Sequence, residues 1–230
     1  MRKRQQGPRS QREESAGVLR VTEIYKSIQG ESTRAGLPCT IVRLTGCNLR
    51  CVWCDTAYAF TGGLEMHVNE VVGRCQELGC SLVEITGGEP LLQPDCVLLA
   101  QRLLEGGMTV LCETSGSVSI APLPPGVIRI VDFKCPGSGE CDKNDWSNVA
   151  ALRPRDEVKF VIADRRDYEW SKDVVATHGL AARCGQVLFA PVFGVMTPAD
   201  LAGWILEDGL PVRLQLQLHR IIWPAANRGV

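Results

Sequence analysis

The chain has 230 residues, enough for one domain or at most two around a substantial core. Hydrophobic residues at 45% and charged residues at 22% exclude wholesale disorder, and a formal net charge of -1 gives no pull toward nucleic acid or an anionic membrane. No apolar run approaches the ~18 residues of a spanning helix, and no apolar stretch backs the polar start, so neither membrane span nor secretory signal is expected. Residues 1–17, MRKRQQGPRSQREESAG, lack large apolar side chains and read as a disordered basic tail, with one domain over 18–230. Short apolar runs then mark strands at CTIVRL (39–44), LVEIT (82–86), MTVLCE (108–113), VIRIVDF (127–133), EVKFVI (157–162), QVLFA (186–190) and VRLQLQL (212–218). Between them, Val68, Val71, Val72, Cys75 and Leu78 recur at helical spacing up to Gly79. A second helix follows Pro94 and stops at Gly106-Gly107. A third has Thr197 as N-cap and Pro198 at its first position. Such alternation predicts an α/β fold with a mainly parallel sheet, open or curled into a barrel, and chemistry at the C-terminal strand ends.

Cysteine is the unusual residue. A count of 11 is odd, so complete pairing within the chain is impossible, and a reducing, cytoplasmic setting is expected. Cys47, Cys51 and Cys54 form a C-x3-C-x2-C array in TGCNLRCVWCDT, directly after the strand ending at Leu44. Clustered thiolates suit zinc or an iron–sulfur cluster. Structural zinc usually takes four ligands, and no fourth Cys or His lies near. Three thiolates on a [4Fe–4S] cubane would leave one iron open. The other eight cysteines read as free thiols, mostly packed as small hydrophobes.

The three-cysteine array with Trp53 before its last member resembles the radical S-adenosylmethionine (SAM) family, and LVEITGGEP (82–90) resembles that family's cofactor loop. The resemblance implies a partial (β/α) barrel of mainly parallel strands, radical SAM type. Longer strings narrow it. YKSIQGESTRAGLPCTIVRLTGCNLRCVWCDT, ETSG (113–116), DFKCPGSGE (132–140) and QLHRIIWP (217–224) are similar to the 7-carboxy-7-deazaguanine synthases of queuosine and deazapurine biosynthesis. This likeness runs from about Ile24 to Pro224. It implies a lyase that contracts 6-carboxy-5,6,7,8-tetrahydropterin to 7-carboxy-7-deazaguanine and ammonia through a cofactor-derived deoxyadenosyl radical. No further catalytic side chain is implied.

Residue by residue, the resemblance implies that Cys47, Cys51 and Cys54 hold the [4Fe–4S] cluster and that Thr56 is a ligand of Mg2+, which accepts hard oxygen. It assigns SAM to Trp53, Cys54, Asp55, Gly88, Glu89, Glu113, Asp132, Phe133, Lys134, Ala190, Pro191, Val192 and Phe193. It assigns substrate to Ile28, Gln29, Gly30, Glu31, Arg43, Thr86 and Pro224, with Arg43 forking onto the carboxylate. His219 lies in the string that approaches substrate in relatives. Taken alone, Glu31 reads as a solvated loop acid, Lys134 as a salt-bridged structural lysine and His219 as a packed histidine. The family loop often reads Q-G-E-G, where Ser32 stands here, and six residues follow Pro224. Expected partners are the pterin, an electron donor such as flavodoxin and a second copy in a homodimer, with no nucleic acid and no membrane. The competing readings are a glycyl-radical-enzyme activase and a zinc-stabilised binding module.

Overall fold

A computed structural model describes residues 17–224, 228 and 229; the basic tail up to residue 16 lies outside the described residues, as do 225–227 and 230. The chain opens with β1 (Val18–Ile28), β2 (Pro38–Leu44) and β3 (Leu64–His67), followed by α1 (Val68–Leu78), β4 (Leu82–Gly87), α2 (Asp95–Glu105) and β5 (Thr109–Thr114). Then come β6 (Ile128–Asp132), α3 (Asn148–Ala151), β7 (Glu157–Ile162), α4 (Arg165–His178) and α5 (Leu180–Arg183). The last elements are β8 (Gln186–Pro191), α6 (Pro198–Asp208), β9 (Arg213–Leu214) and α7 (Leu218–Ile222).

All nine strands form one sheet in the order β3-β1-β2-β4-β5-β6-β7-β8-β9. From β2 onward neighbours are parallel and follow chain order, while β1 pairs antiparallel with both β2 and β3. Right-handed crossovers between successive neighbours fall on one face, so helices gather there and the other face lines an interior. The core divides accordingly. Val83 and Ile85 of β4 pack outward with Val71 of α1 and Leu99 of α2, and Phe160 and Phe189 pack outward with Tyr168 and Leu201. Ile41, Leu82, Leu111, Ile128 and Ile130 pack together on the inner side. Each such fully buried aliphatic side chain contributes about 1.5–3 kcal/mol. β3 and β9 end the sheet without pairing to each other, so the barrel is partial.

The period of two along the strands converts this floor into a rim. Arg43 follows Ile41, Glu84 and Thr86 follow Leu82, Glu113 follows Leu111, and Asp132 follows Ile130 on the same faces. The barrel is therefore apolar below and charged at its C-terminal mouth.

Most predicted elements are found within a residue or two. The α6 cap is as expected, with the Thr197 hydroxyl accepting from the Asp200 amide at 3.1 Å. One strand is much shorter than VRLQLQL suggested. Only Arg213 and Leu214 pair with β8; beyond them Gln215 and Gln217 turn their amides to Glu31, and the Leu218 amide donates to the Gly30 carbonyl at 2.9 Å before α7 begins. β1, β3 and α4 were not anticipated. β1 shifts register between Val21 and Glu23, which breaks its alternation. The buried stripe of α4 includes Asp167 and Ser171, which hide its apolar period.

Candidate active site

A cleft of about 560 Å³ opens at the C-terminal mouth of the barrel. Its walls come from the loop after β2, the Gly87-Gly88 turn after β4, the ends of β5 and β6, the stretch after β8 and the C-terminal segment.

The loop after β2 carries the three cysteines. It is tied down at both ends by backbone bonds from Thr45 to Arg20 and from Gly46 to Ala59, and a Cys54-to-Cys51 bond of 3.1 Å closes the turn between the last two thiols. The PGSGE string holds it from outside: Val52 donates to the Ser138 carbonyl at 3.0 Å, and the Arg50 amide to Glu140 at 2.6 Å. Gly88 abuts it from below, where a Cβ would stand 2.3 Å from the Gly46 carbonyl and 2.7 Å from Cys47 Cβ. Cys47 and Cys51 are half-buried and Cys54 is exposed, and all three line the cleft. Among the described residues no three His, Cys, Asp or Glu side chains converge at the spacing of a single ion. A cluster differs in holding its thiolates apart by the width of its own body.

The surroundings of these thiols suit an anionic sulfur cluster. The Leu49 amide points at Cys47 Sγ from 3.4 Å. Burial pushes Cys51 up to about 11, with the Lys134 ammonium opposing it. Binding to a metal would convert such thiols to thiolates. Lys134 bridges to Asp132 at 2.9 Å. Burial works against its charge, but Asp132 and Cys51 outweigh burial and raise its pKa. Asp132 Oδ1 is buried with no hydrogen-bond partner, in a residue that lines the cleft beside Lys134. The donor set therefore fits a three-thiolate cluster with SAM beside it. At the mouth, the Thr56 hydroxyl donates to Asp55 at 2.8 Å, placing two hard oxygens together as Mg2+ prefers.

At the other end, the loop between β1 and β2 presents Glu31. Its carboxylate is bonded by Lys159 at 2.7 Å, Gln217 at 2.8 Å and Gln215 at 3.1 Å. Burial raises its pKa, but Lys159 and these amides overrule burial and hold it at about 2. The Gln29 side chain is spent within the protein, donating to Glu84 and accepting from the Glu31 amide. At Glu84 the Gln29 bond and the Lys159 charge are outweighed, and burial with the nearby Glu113 charge pushes it up to about 8. Ser32, where the resemblance implies a glycine, has φ +66° in the left-handed region that glycine adopts freely. Arg43 directs Nε to Glu23 at 2.8 Å and Nη2 to Tyr25 at 3.2 Å, so part of its fork is already engaged.

Most residues expected from the sequence meet in this cleft: Ile28, Gln29, Gly30, Glu31, Arg43, Thr86, Trp53, Asp55, Thr56, Gly88, Glu113, Asp132, Lys134, Val192, Phe193 and His219 line it with the three cysteines. Five do not line it. Glu89 is fully buried and accepts from Thr114, Ser115 and Leu91, a brace between the GGEP and ETSG strings. Phe133 is buried and stacks on Trp146 at 4.9 Å. Ala190 and Pro191 are buried in β8, and Pro224 is exposed beyond α7. Glu84, Lys159, Tyr58, Gln217 and Arg220 line the cleft without having been singled out. For Glu84 and Lys159 the available signal was a charge inside an otherwise apolar strand run.

A radical SAM superfamily profile matches residues 41–129. The 7-carboxy-7-deazaguanine synthase of Koribacter versatilis is 47% identical over 226 residues, covering 92% of this chain and all of that protein. This chain belongs to the 7-carboxy-7-deazaguanine synthase family. The namesake from Chlorobaculum tepidum is 44% identical, covering 92% of this chain and 97% of its own. The crystal structure of QueE from Escherichia coli superposes with a TM-score of 0.71 at 22% identity, covering 87% of this chain and 94% of that one, which shows the shared fold. Family membership makes the chain a radical SAM lyase with a [4Fe–4S] cluster and SAM, acting on a small molecule. Among the described residues no helix is long and apolar enough to cross a membrane.

Proposed function

We propose that this enzyme converts 6-carboxy-5,6,7,8-tetrahydropterin to 7-carboxy-7-deazaguanine with release of ammonia. The observation that carries the reading is one cleft lined together by the three-cysteine loop, the Gly87-Gly88 turn, Arg43 and Glu31. Cys47, Cys51 and Cys54 would hold the cluster, with Gly88, Asp132 and Lys134 beside SAM. When bound, the two supply a one-electron cleavage that lets hydrogen be taken from the carbon bearing the carboxylate.

The residues around that carbon have separate tasks. Arg43, oriented by Glu23 and Tyr25, offers its remaining donors to the substrate carboxylate. Glu31, fully ionised at neutral pH, accepts from the N–H groups of the pterin edge. His219 lies against Gly30, where any Cβ would meet its ring at 2.2 Å. Thr56, its hydroxyl held by Asp55, would hold Mg2+, which would supply a hard Lewis acid for oxygen atoms of the substrate. Glu89 braces the turn after β4 against the end of β5, and Phe133, Ala190 and Pro191 support the cleft from the core behind it. The enzyme works in the cytoplasm as a homodimer, as a single domain over 18–230, and takes its electron from a donor of the flavodoxin kind. The test is anaerobic turnover with product detected by its chromophore. A colourless, zinc-bearing protein would sink every radical reading.

A further inference from the structure

We propose that Lys159 is a positioning residue for the pterin, fixing the charge and direction of Glu31 at the substrate end of the cleft. The inference rests on the reading of the cleft just given and deepens it.

Lys159 stands on β7 with its side chain 6% exposed, yet its ammonium meets three carboxylates from three elements. It lies 2.7 Å from Glu31 of the β1–β2 loop and 3.5 Å from Asp132 at the end of β6, and it also bonds Glu113 at the end of β5. A lysine suits this post: three donors on one point charge can serve three acceptors. Glu31 in turn receives Gln215 and Gln217, so the ammonium also connects the C-terminal segment to the rim of the barrel. Around this centre the charged and titratable groups are Glu31, Glu84, Glu113 and Asp132 against Lys159, Lys134 and His219.

Two consequences follow for Glu31. Its loop is independently anchored by Ser32 to Gln215 and by Thr33 to Glu157, so the backbone does not depend on the lysine. Its charge does. Without the ammonium, a buried carboxyl facing Glu113 and Glu84 takes up a proton. A protonated Glu31 becomes a donor where the pterin edge requires an acceptor. The lysine thus keeps the recognition group in its acceptor form.

The experiment compares the parent, Lys159→Met and Lys159→Arg as full-length, cluster-loaded protein across about pH 6.5 to 9. For Lys159→Met we expect the KM for the carboxytetrahydropterin to rise roughly thirtyfold near neutrality, with a much smaller loss in kcat. The defect, read as the ratio of variant to parent KM at each pH, should shrink as pH rises, because Glu31 ionises again. Lys159→Arg, which keeps the charge, should restore most of the affinity. A folded Lys159→Met with a KM within about twofold of the parent, or with a loss that is independent of pH, overturns the proposal. If Lys159→Met does not fold, Glu31→Gln decides: a comparable KM rise without pH dependence supports the proposal, and an unchanged KM overturns it. A parent that cleaves SAM but forms no product sinks the functional reading and this proposal with it. A parent that turns over beside an unaffected Lys159→Met sinks the proposal alone.

Discussion

Glu84→Gln tests the electrostatics of the barrel mouth through stability rather than turnover. Glu84 is 5% exposed on β4, and its carboxyl is pushed from the usual 4.5 up to about 8 by burial and by the neighbouring Glu113. For an acid with a raised folded pKa the sign is unfavourable. Between pH 4.5 and about 8 the unfolded chain has lost the proton that the folded chain still holds, so stability falls as pH rises. Each pH unit in that window costs about 1.4 kcal/mol, an upper bound near 5 kcal/mol for the whole window. Glu113 and Glu31 share the repulsion, so we expect roughly half of this to be recovered by the neutral amide, which can still accept from Gln29. Urea unfolding of parent and variant at about pH 6 and pH 8.5 should show the stability gap in favour of Gln widening by about 1.4 kcal/mol. A gap that stays constant within about 0.5 kcal/mol would refute the charge account of this layer.

Three further tests probe the cluster end. Alanine at Cys47, Cys51 or Cys54 should each abolish iron loading, measured by visible absorption, whereas Cys75→Ala, at a thiol buried against the α1–α2 face, should leave the spectrum intact. Gly88→Ala, although it removes no ligand, should cut iron loading severalfold, because its Cβ would press on the Gly46 carbonyl and Cys47; normal loading would show that the turn yields freely. Thr56→Ala should keep the cluster while weakening Mg2+ stimulation of turnover, and unchanged stimulation would remove Thr56 from the ligand set.

The sequence made the cluster loop and the parallel strands legible because both are local. Cys47, Cys51 and Cys54 lie within eight residues, and Val83 and Ile85 are apolar wherever their strand packs. The layer of charges was not legible in the same way. Lys159 and Glu84 become partners of the loop between β1 and β2 only through the strand order, which brings β4 and β7 to the same mouth. Glu89 shows the opposite case. It sits in the motif associated with the cofactor, yet its carboxylate is consumed by Thr114 and Ser115, which a motif alone does not reveal. The C-terminal QLQLH run misled the strand prediction because its apolar alternation is real, while its glutamines bond to Glu31 rather than continuing a ladder.

The most direct test of the central claim is turnover by the intact, anaerobically reconstituted chain. Reduced protein given 6-carboxy-5,6,7,8-tetrahydropterin, SAM and Mg2+ should release ammonia in step with the appearance of the 7-carboxy-7-deazaguanine chromophore. A sample that carries its cluster and cleaves SAM, yet yields neither ammonia nor that chromophore, would contradict the account.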